Sequence, residues 1–189
     1  MLLFYNDIEI SIQQGADRTI EHHFLRYSAT AVVPISMRVF LDTEFTNFDC
    51  PSLISIGLVS ELGAEFYAEV PFPLSECSDF VVEVVLPLLN GGDSCIRSHV
   101  QLKDSLSSWL ASSKNNDKQL VVLYDSQTDW DLFARALDFR IPSWCHPQFV
   151  VSCLDECSRS EFDDTNELTE HHALDDARTG LFRFLSSKG

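Results

Sequence analysis

The sequence predicts an α/β chain: a mixed sheet of three leading antiparallel strands, then alternating helices and strands, flanked by helices. Three observations carry that prediction. A short apolar run, Arg38-Val39-Phe40-Leu41, ends in the acidic Asp42-Thr43-Glu44. Two further strand-like segments follow it, joined by the tight Glu61-Leu62-Gly63 turn. Beyond residue 80 the apolar spacing alternates between the helical and the strand period up to the C-terminus.

The first strand starts at Met37 and ends at the acids, as a buried strand would. The second covers Ser52 to Val59, and the third covers Ala64 to Val70, where Phe66, Ala68 and Val70 share one side. The turn between them makes the two an antiparallel hairpin. Phe80 to Leu89 has helical spacing interrupted by Pro87, and Gly91-Gly92-Asp93 breaks the chain. Leu102, Leu106, Trp109 and Leu110 mark an amphipathic helix. Leu120 to Tyr124 is an apolar strand, Trp130 to Phe139 a helix, and Gln148 to Cys153 a last short strand. An acidic loop, Glu161 to Glu170, leads to a closing helix over 172–185. Trp109, Trp130 and Trp144 read as core or edge packing.

Residues 1–36 hold neither period. They read as an N-terminal extension outside the fold, or as the product of a start codon placed too early, with the functional domain over 37–189. The opening Met-Leu-Leu-Phe-Tyr has no basic region before it and soon meets Asn6, Asp7 and Glu9, which is not a signal peptide. No apolar run reaches the roughly 18 residues of a membrane span. A cytoplasmic protein with no membrane partner is the expectation. The six cysteines form no C-x-x-C and face no His pair at zinc spacing, so reduced thiols are the plain reading; Cys153 and Cys157 would share a helix face.

Twenty-nine acidic residues stand against 13 basic ones, a net charge of −16. Such a chain repels polyanions at long range and cannot coat nucleic acid through Lys and Arg. A nucleic-acid role would have to act locally, through bound metal ions or a small basic patch.

The acids supply the first of these. Asp42 and Glu44, at i and i+2 of a strand, project to one side. Two such carboxylates repel unless a cation joins them, and all-oxygen ligation suits Mg²⁺ or Mn²⁺. A D-x-E pair alone is more commonly a solvent-facing strand end. Two more places add to it. Asp129, in Tyr124-Asp125-Ser126-Gln127-Thr128-Asp129-Trp130, opens a helix after a buried strand, where a capping acid is the plain alternative. His171-His172-Ala173-Leu174-Asp175-Asp176 opens the last helix. Four carboxylates for two cations, with a histidine to deprotonate water, are the components of two-metal phosphodiester hydrolysis.

With these motifs the chain resembles the DEDDh 3′–5′ exonucleases of the ribonuclease H-like superfamily. Phe40-Leu41-Asp42-Thr43-Glu44-Phe45-Thr46 and His171-His172-Ala173-Leu174-Asp175-Asp176-Ala177-Arg178 look most like the small bacterial exoribonucleases related to oligoribonuclease and ribonuclease T. The resemblance spans residues 37–187 and implies a ribonuclease H-like sheet, two Mg²⁺ or Mn²⁺ ions, and a single-stranded RNA 3′ end as substrate, with DNA as the other choice. It also implies a homodimer, since dimers are frequent among such relatives. It makes Asp42 the bridging ligand, with Glu44 and Asp176 completing one metal site and Asp129 holding the second. His171 becomes the general base. His172, one residue closer to Asp176, falls where a sister subclass places a tyrosine. Asp125 rivals Asp129 but sits at the strand's end, and Asp175 reads as a solvent-facing helix acid. Thr128 departs from the aromatic that many relatives carry before the third acid. Phe45 and Thr46 are the candidate substrate contacts. Phe45 and Phe48 could stack on a terminal base, core packing being an equal account. Arg135, Arg140, Arg178 and Arg183 could form the local basic patch, or serve as surface salt-bridge partners.

Two rivals compete. The hydrophobic-D-x-E-x-T opening also resembles a haloacid dehalogenase-like phosphatase. Against it, the second acid is Glu rather than Asp, and no Lys occurs from Gln119 to Ser187. A catalytically silent nucleic-acid-binding member of the same fold would lack a carboxylate or the His, and here all are present.

Overall fold

A computed structural model describes residues 36–89, 95–114, 119–150 and 168–187. The expectations for residues 1–35, for Gly91-Gly92-Asp93, for Cys153 and Cys157 and for most of the acidic loop fall outside these. Five strands form one sheet: β1 (Met37–Phe45), β2 (Leu53–Ser60), β3 (Glu65–Glu69), β4 (Leu120–Tyr124) and β5 (Cys145–Phe149), in the order β3-β2-β1-β4-β5. β1, β2 and β3 pair antiparallel, while β4 lies parallel to both β1 and β5. Among the described residues three α-helices accompany them: α1 (His99–Ser113), α2 (Gln127–Ala136) and α3 (Ala173–Ser186). The expected leading antiparallel strands and alternating helices are therefore observed. Among the described residues no helix is long and apolar enough to cross a membrane.

The strand period sorts β1 between two cores. Val39 and Leu41 join Ile56, Leu58, Val122 and Phe133 and the apolar side of α1 (Leu102, Leu106, Leu110) in the larger core. Phe40 faces the other way, into a second core with Val59, Leu123, Ala177, Leu181 and Phe184. α1 and α2 thus cover one face of the sheet and α3 the other. Trp109 and Trp130 pack on the first core as expected, against Phe66 and Tyr124.

α3 comes unusually close to the sheet because two glycines give it room. A Cβ on Gly57 would collide with the Ala173 carbonyl and the Leu174 amide, and one on Gly180 with the Phe40 ring. Gly57 is paired with Asp42 across β1 and β2, so the closest approach of α3 lies beside the first acid.

Two expectations need correction. The last strand is Cys145–Phe149, not Gln148 to Cys153. Pro147 disguises it, and is tolerated because, among the described strands, β5 forms the sheet edge. The segment over Phe80 to Leu89 is not an α-helix: Val81–Val85 is a π-helical turn and Leu86–Leu88 a 3₁₀ turn. Pro87 has no N–H to continue an i→i−4 ladder. Val81 and Val85 nonetheless pack with Ile54, as apolar residues four apart should.

Candidate active site

Because β1 is sandwiched, its acids and Thr43 are shared out between the two faces. Asp42 and Glu44 follow Phe40 on the α3 side. Thr43 follows Leu41 on the α2 side, where its hydroxyl donates to the Asp129 carboxylate at 2.6 Å. Asp129 reaches this point from the first turn of α2, whose N-cap is Ser126; the Ser126 hydroxyl accepts from the Thr128 amide. Asp129 is only 3% exposed, so its predicted place in the first helical turn is observed with the side chain turned inward.

The start of α3 delivers the last two groups. The Asp176 amide donates to the His172 carbonyl at 2.9 Å, and the His171 amide donates to the Asp176 carboxylate at 2.7 Å. This exchange holds His171 at φ 68°, in the left-handed region, where a non-glycine residue is under strain. The Phe80 ring meets the His171 imidazole edge-on at 5.0 Å.

All five predicted groups line one cleft of about 710 Å³, together with Asp125, Phe45, Phe48, Phe80 and Arg183. Ligand atoms of Glu44, His171 and Asp176 lie within 4.8 Å of one another, and so do those of Asp42, Asp125 and Asp129. His172 is turned away: its ring stacks on Tyr67 at 4.7 Å, and its Nδ1 lies 3.7 Å from Asp175. Burial pushes its pKa down. The two adjacent histidines thus occupy different environments.

Burial, followed by the charges of Asp129, Asp176, Glu44 and Asp125, pushes Asp42 well above the usual carboxylate range, although its edge opens on the cleft. Burial and the neighbouring acids Asp176 and Asp129 push Glu44 up to about 8. Burial raises Asp129 to about 7 against the opposing pull of the Thr43 hydrogen bond. Carboxylates crowded and desolvated to this degree fit a divalent cation, which supplies the missing positive charge and takes all-oxygen ligands.

Some expectations land elsewhere. Thr46 is fully buried; its hydroxyl accepts from the Ser52 amide and its carbonyl from the Ser78 amide. It braces the end of β1 and does not line the cleft, so of the two expected substrate contacts only Phe45 faces it. Asp175 is not simply solvent-facing: it is half-buried and ion-paired with Arg178 at 2.6 Å. Arg178 also pairs with Glu65, and Arg135 donates to the Pro51 carbonyl. Of the four arginines proposed as a basic patch, Arg183 alone lines the cleft. Asp125, set behind Asp129 as its rival, joins Asp42 and Asp129 instead; its place directly after β4 was the sequence signal for it.

No family model and no curated protein matches the chain. Among solved structures it is similar to the nuclease domain of 3′hExo, a DEDDh family member, bound to rAMP. The identity is 14%, the TM-score 0.50, and the match covers 83% of this chain and 92% of that one. It is also similar to cell-death related nuclease 4 (CRN-4), with 13% identity, TM-score 0.56, and 82% and 64% of the two chains covered. The chain has the ribonuclease H-like fold of these nuclease domains.

Proposed function

We propose that the protein is a metal-dependent 3′–5′ exonuclease that shortens single-stranded RNA from its 3′ end. The observation that carries this reading is the meeting of Asp42, Glu44, Asp129, His171 and Asp176, drawn from three separate elements, in one cleft. The fold likeness to DEDDh nuclease domains, one of them bound to rAMP, supports it. A nearer kinship with the small bacterial exoribonucleases rests on the two motifs, and a homodimeric assembly on that resemblance.

Two divalent cations, Mg²⁺ or Mn²⁺, when bound, would polarise the scissile phosphodiester and acidify the attacking water. Asp42, Asp125 and Asp129 are grouped to hold one, and Glu44 and Asp176 the other. Asp42 feels the charges of Asp129, Asp176, Glu44 and Asp125 and would serve both. The His171 imidazole, free of the stacking that occupies His172, takes the proton of the water on a ring nitrogen. Thr43 fixes the orientation of Asp129 through its hydroxyl. Phe45 and Phe48, edge to face at 5.1 Å, line the cleft where a terminal base can stack. Among the described residues no lysine lines this cleft, whereas the phosphatase reading requires one.

The test is incubation of the purified protein with 5′-labelled RNA and DNA oligomers, with Mg²⁺, with Mn²⁺ and with chelator. Products shortened one nucleotide at a time from the 3′ end, only with metal and faster on RNA, are expected. Release of inorganic phosphate without shortening would reverse the reading in favour of the phosphatase.

A further inference from the structure

Arg183 is the one Arg or Lys among the described residues lining the cleft, where six acids also stand: Asp42, Glu44, Asp125, Asp129, Glu170 and Asp176. α3 fixes its position. It lies seven positions after Asp176, so the two share a helix face and lie about 10.5 Å apart along the axis. Long helical side chains lean toward the N-terminus. The Arg183 side chain therefore leans toward the Asp176 end of the cleft. Between the two, Gly180 seats α3 against the Phe40 ring, which fixes how this face is presented to the cleft.

The substrate chemistry then selects what the guanidinium meets. A strand held by its 3′ end carries no phosphate beyond the terminal nucleotide, which ends in a hydroxyl. Every phosphate other than the scissile one lies on the 5′ side. We propose that Arg183 binds the phosphodiester one linkage 5′ of the scissile bond and so sets the register of the strand over the acids; this rests on the 3′-exonuclease reading above. The planar fork of Arg suits a bidentate grip on phosphate oxygens. A local grip of this kind is what a chain of net charge −16 needs, since it repels the strand at long range.

The test uses pentanucleotide RNAs in which one linkage at a time is a neutral methylphosphonate. Cleavage of the first bond in Mn²⁺ is measured for the native protein, Arg183→Lys and Arg183→Gln. Neutralising the linkage next to the scissile one should raise the native KM about ten- to a hundredfold, the worth of a charge-assisted hydrogen-bonded pair. Arg183→Gln should raise KM on unmodified RNA by a similar factor and become blind to that methylphosphonate, while Arg183→Lys keeps part of the effect. A native protein indifferent to that linkage overturns the proposal even if Arg183→Gln fails to fold. An Arg183→Gln protein as sensitive to it as the native one overturns it too. Were the native protein to shorten no RNA at all, the exonuclease reading itself would fall; normal shortening with an indifferent linkage sinks the role of Arg183 alone.

Discussion

The carboxylate cluster should make the metal-free protein lose stability as pH rises, and cations should abolish that loss. Glu44 shows the size of the effect. Its ordinary value of 4.5 is pushed up to about 8, so between those limits the folded protein keeps a proton that the unfolded chain has released. Stability rises with pH only where the unfolded state binds more protons; here it binds fewer, so stability falls. At about 1.4 kcal/mol per pH unit, the interval from pH 5 to 8 amounts to about 4 kcal/mol. That corresponds to a drop of roughly 8–16 °C in Tm for a chain of this size. Asp129 adds to the fall up to about pH 7. His172, held low by burial, works in the opposite direction as pH rises toward 6.5. Glu65, held low by its hydrogen bond to Arg178, titrates below this window. The assay is thermal melting from pH 5 to 8.5 in chelator and in millimolar Mn²⁺, for the native protein and for Glu44→Gln. Because cations bind only the deprotonated ligands, the Mn²⁺ offset should be small at pH 5 and about 10 °C at pH 8. Glu44→Gln removes one titration and leaves that of His172, so its chelated melting curve should fall less steeply. A chelated native protein whose Tm stays flat or rises across this range, with an Mn²⁺ offset independent of pH, would refute the reasoning.

Other expectations concern single positions. His171→Ala should lower single-turnover cleavage of a short RNA on the order of 10²–10⁴-fold with the Mn²⁺ melting shift retained. His172→Ala should cost less than about tenfold in rate, and about 1 kcal/mol in stability through the lost stacking on Tyr67; the reverse ranking would show the motif misread by one residue. Gly57→Ala drives a Cβ into the backbone at the start of α3, so it should destabilise by about 1–3 kcal/mol and weaken the Mn²⁺ shift. Gly63→Ala, at φ 81° in open space, should cost stability without touching the metal response. Thr43→Val deprives Asp129 of its 2.6 Å donor and should cost about 1.5–3 kcal/mol, read by denaturant melts in chelator. A chain starting at Met37, which loses four acids and two bases and moves from net −16 to −14, should fold and cut like the full chain; an insoluble or inactive product would show residues 1–36 to be part of the working protein.

What could be read from the sequence was whatever depends on neighbours along the chain. β1 was visible because an apolar run ends in two acids on one side, and α1 because Leu102, Leu106 and Leu110 repeat at the helical period and are all buried. Asp42, Glu44, Asp129, His171 and Asp176 were legible as motifs at element ends, and the cleft gathers all five. What depends on partners across space was not. Asp125 enters the cluster because β4 runs parallel beside β1. Arg183 enters the cleft because α3 lies over the α3-facing side of β1. Thr46 looked like a continuation of the catalytic motif, yet the irregular pairing after Glu44 turns it into the protein, where it braces Ser52. Pro87 and Pro147 each removed a donor from an element whose apolar spacing was otherwise sound. Only the tertiary setting decided that one element became a mixed helical turn and the other an edge strand.

Three departures from ordinary local rules gather at one place. Gly57 admits the backbone of α3 beside Asp42. That approach brings Asp176 within reach of Glu44 and raises the pKa of both Asp42 and Glu44. His171 is held at φ 68° because its amide must meet the Asp176 carboxylate while its ring faces the acids. None of the three helps an empty protein fold, since each is a cost of close packing or of charge without a partner. Away from that place the two cores are apolar throughout, and Ser98 caps α1 with a complete capping box. Along the contact of α3 with β1 and β2 the fold holds strain that a cation would relieve. That contact is therefore where substitutions should separate metal affinity from global stability, with Gly57→Ala lowering both and Asp176→Asn lowering metal affinity while easing the repulsion on Asp42 and Glu44.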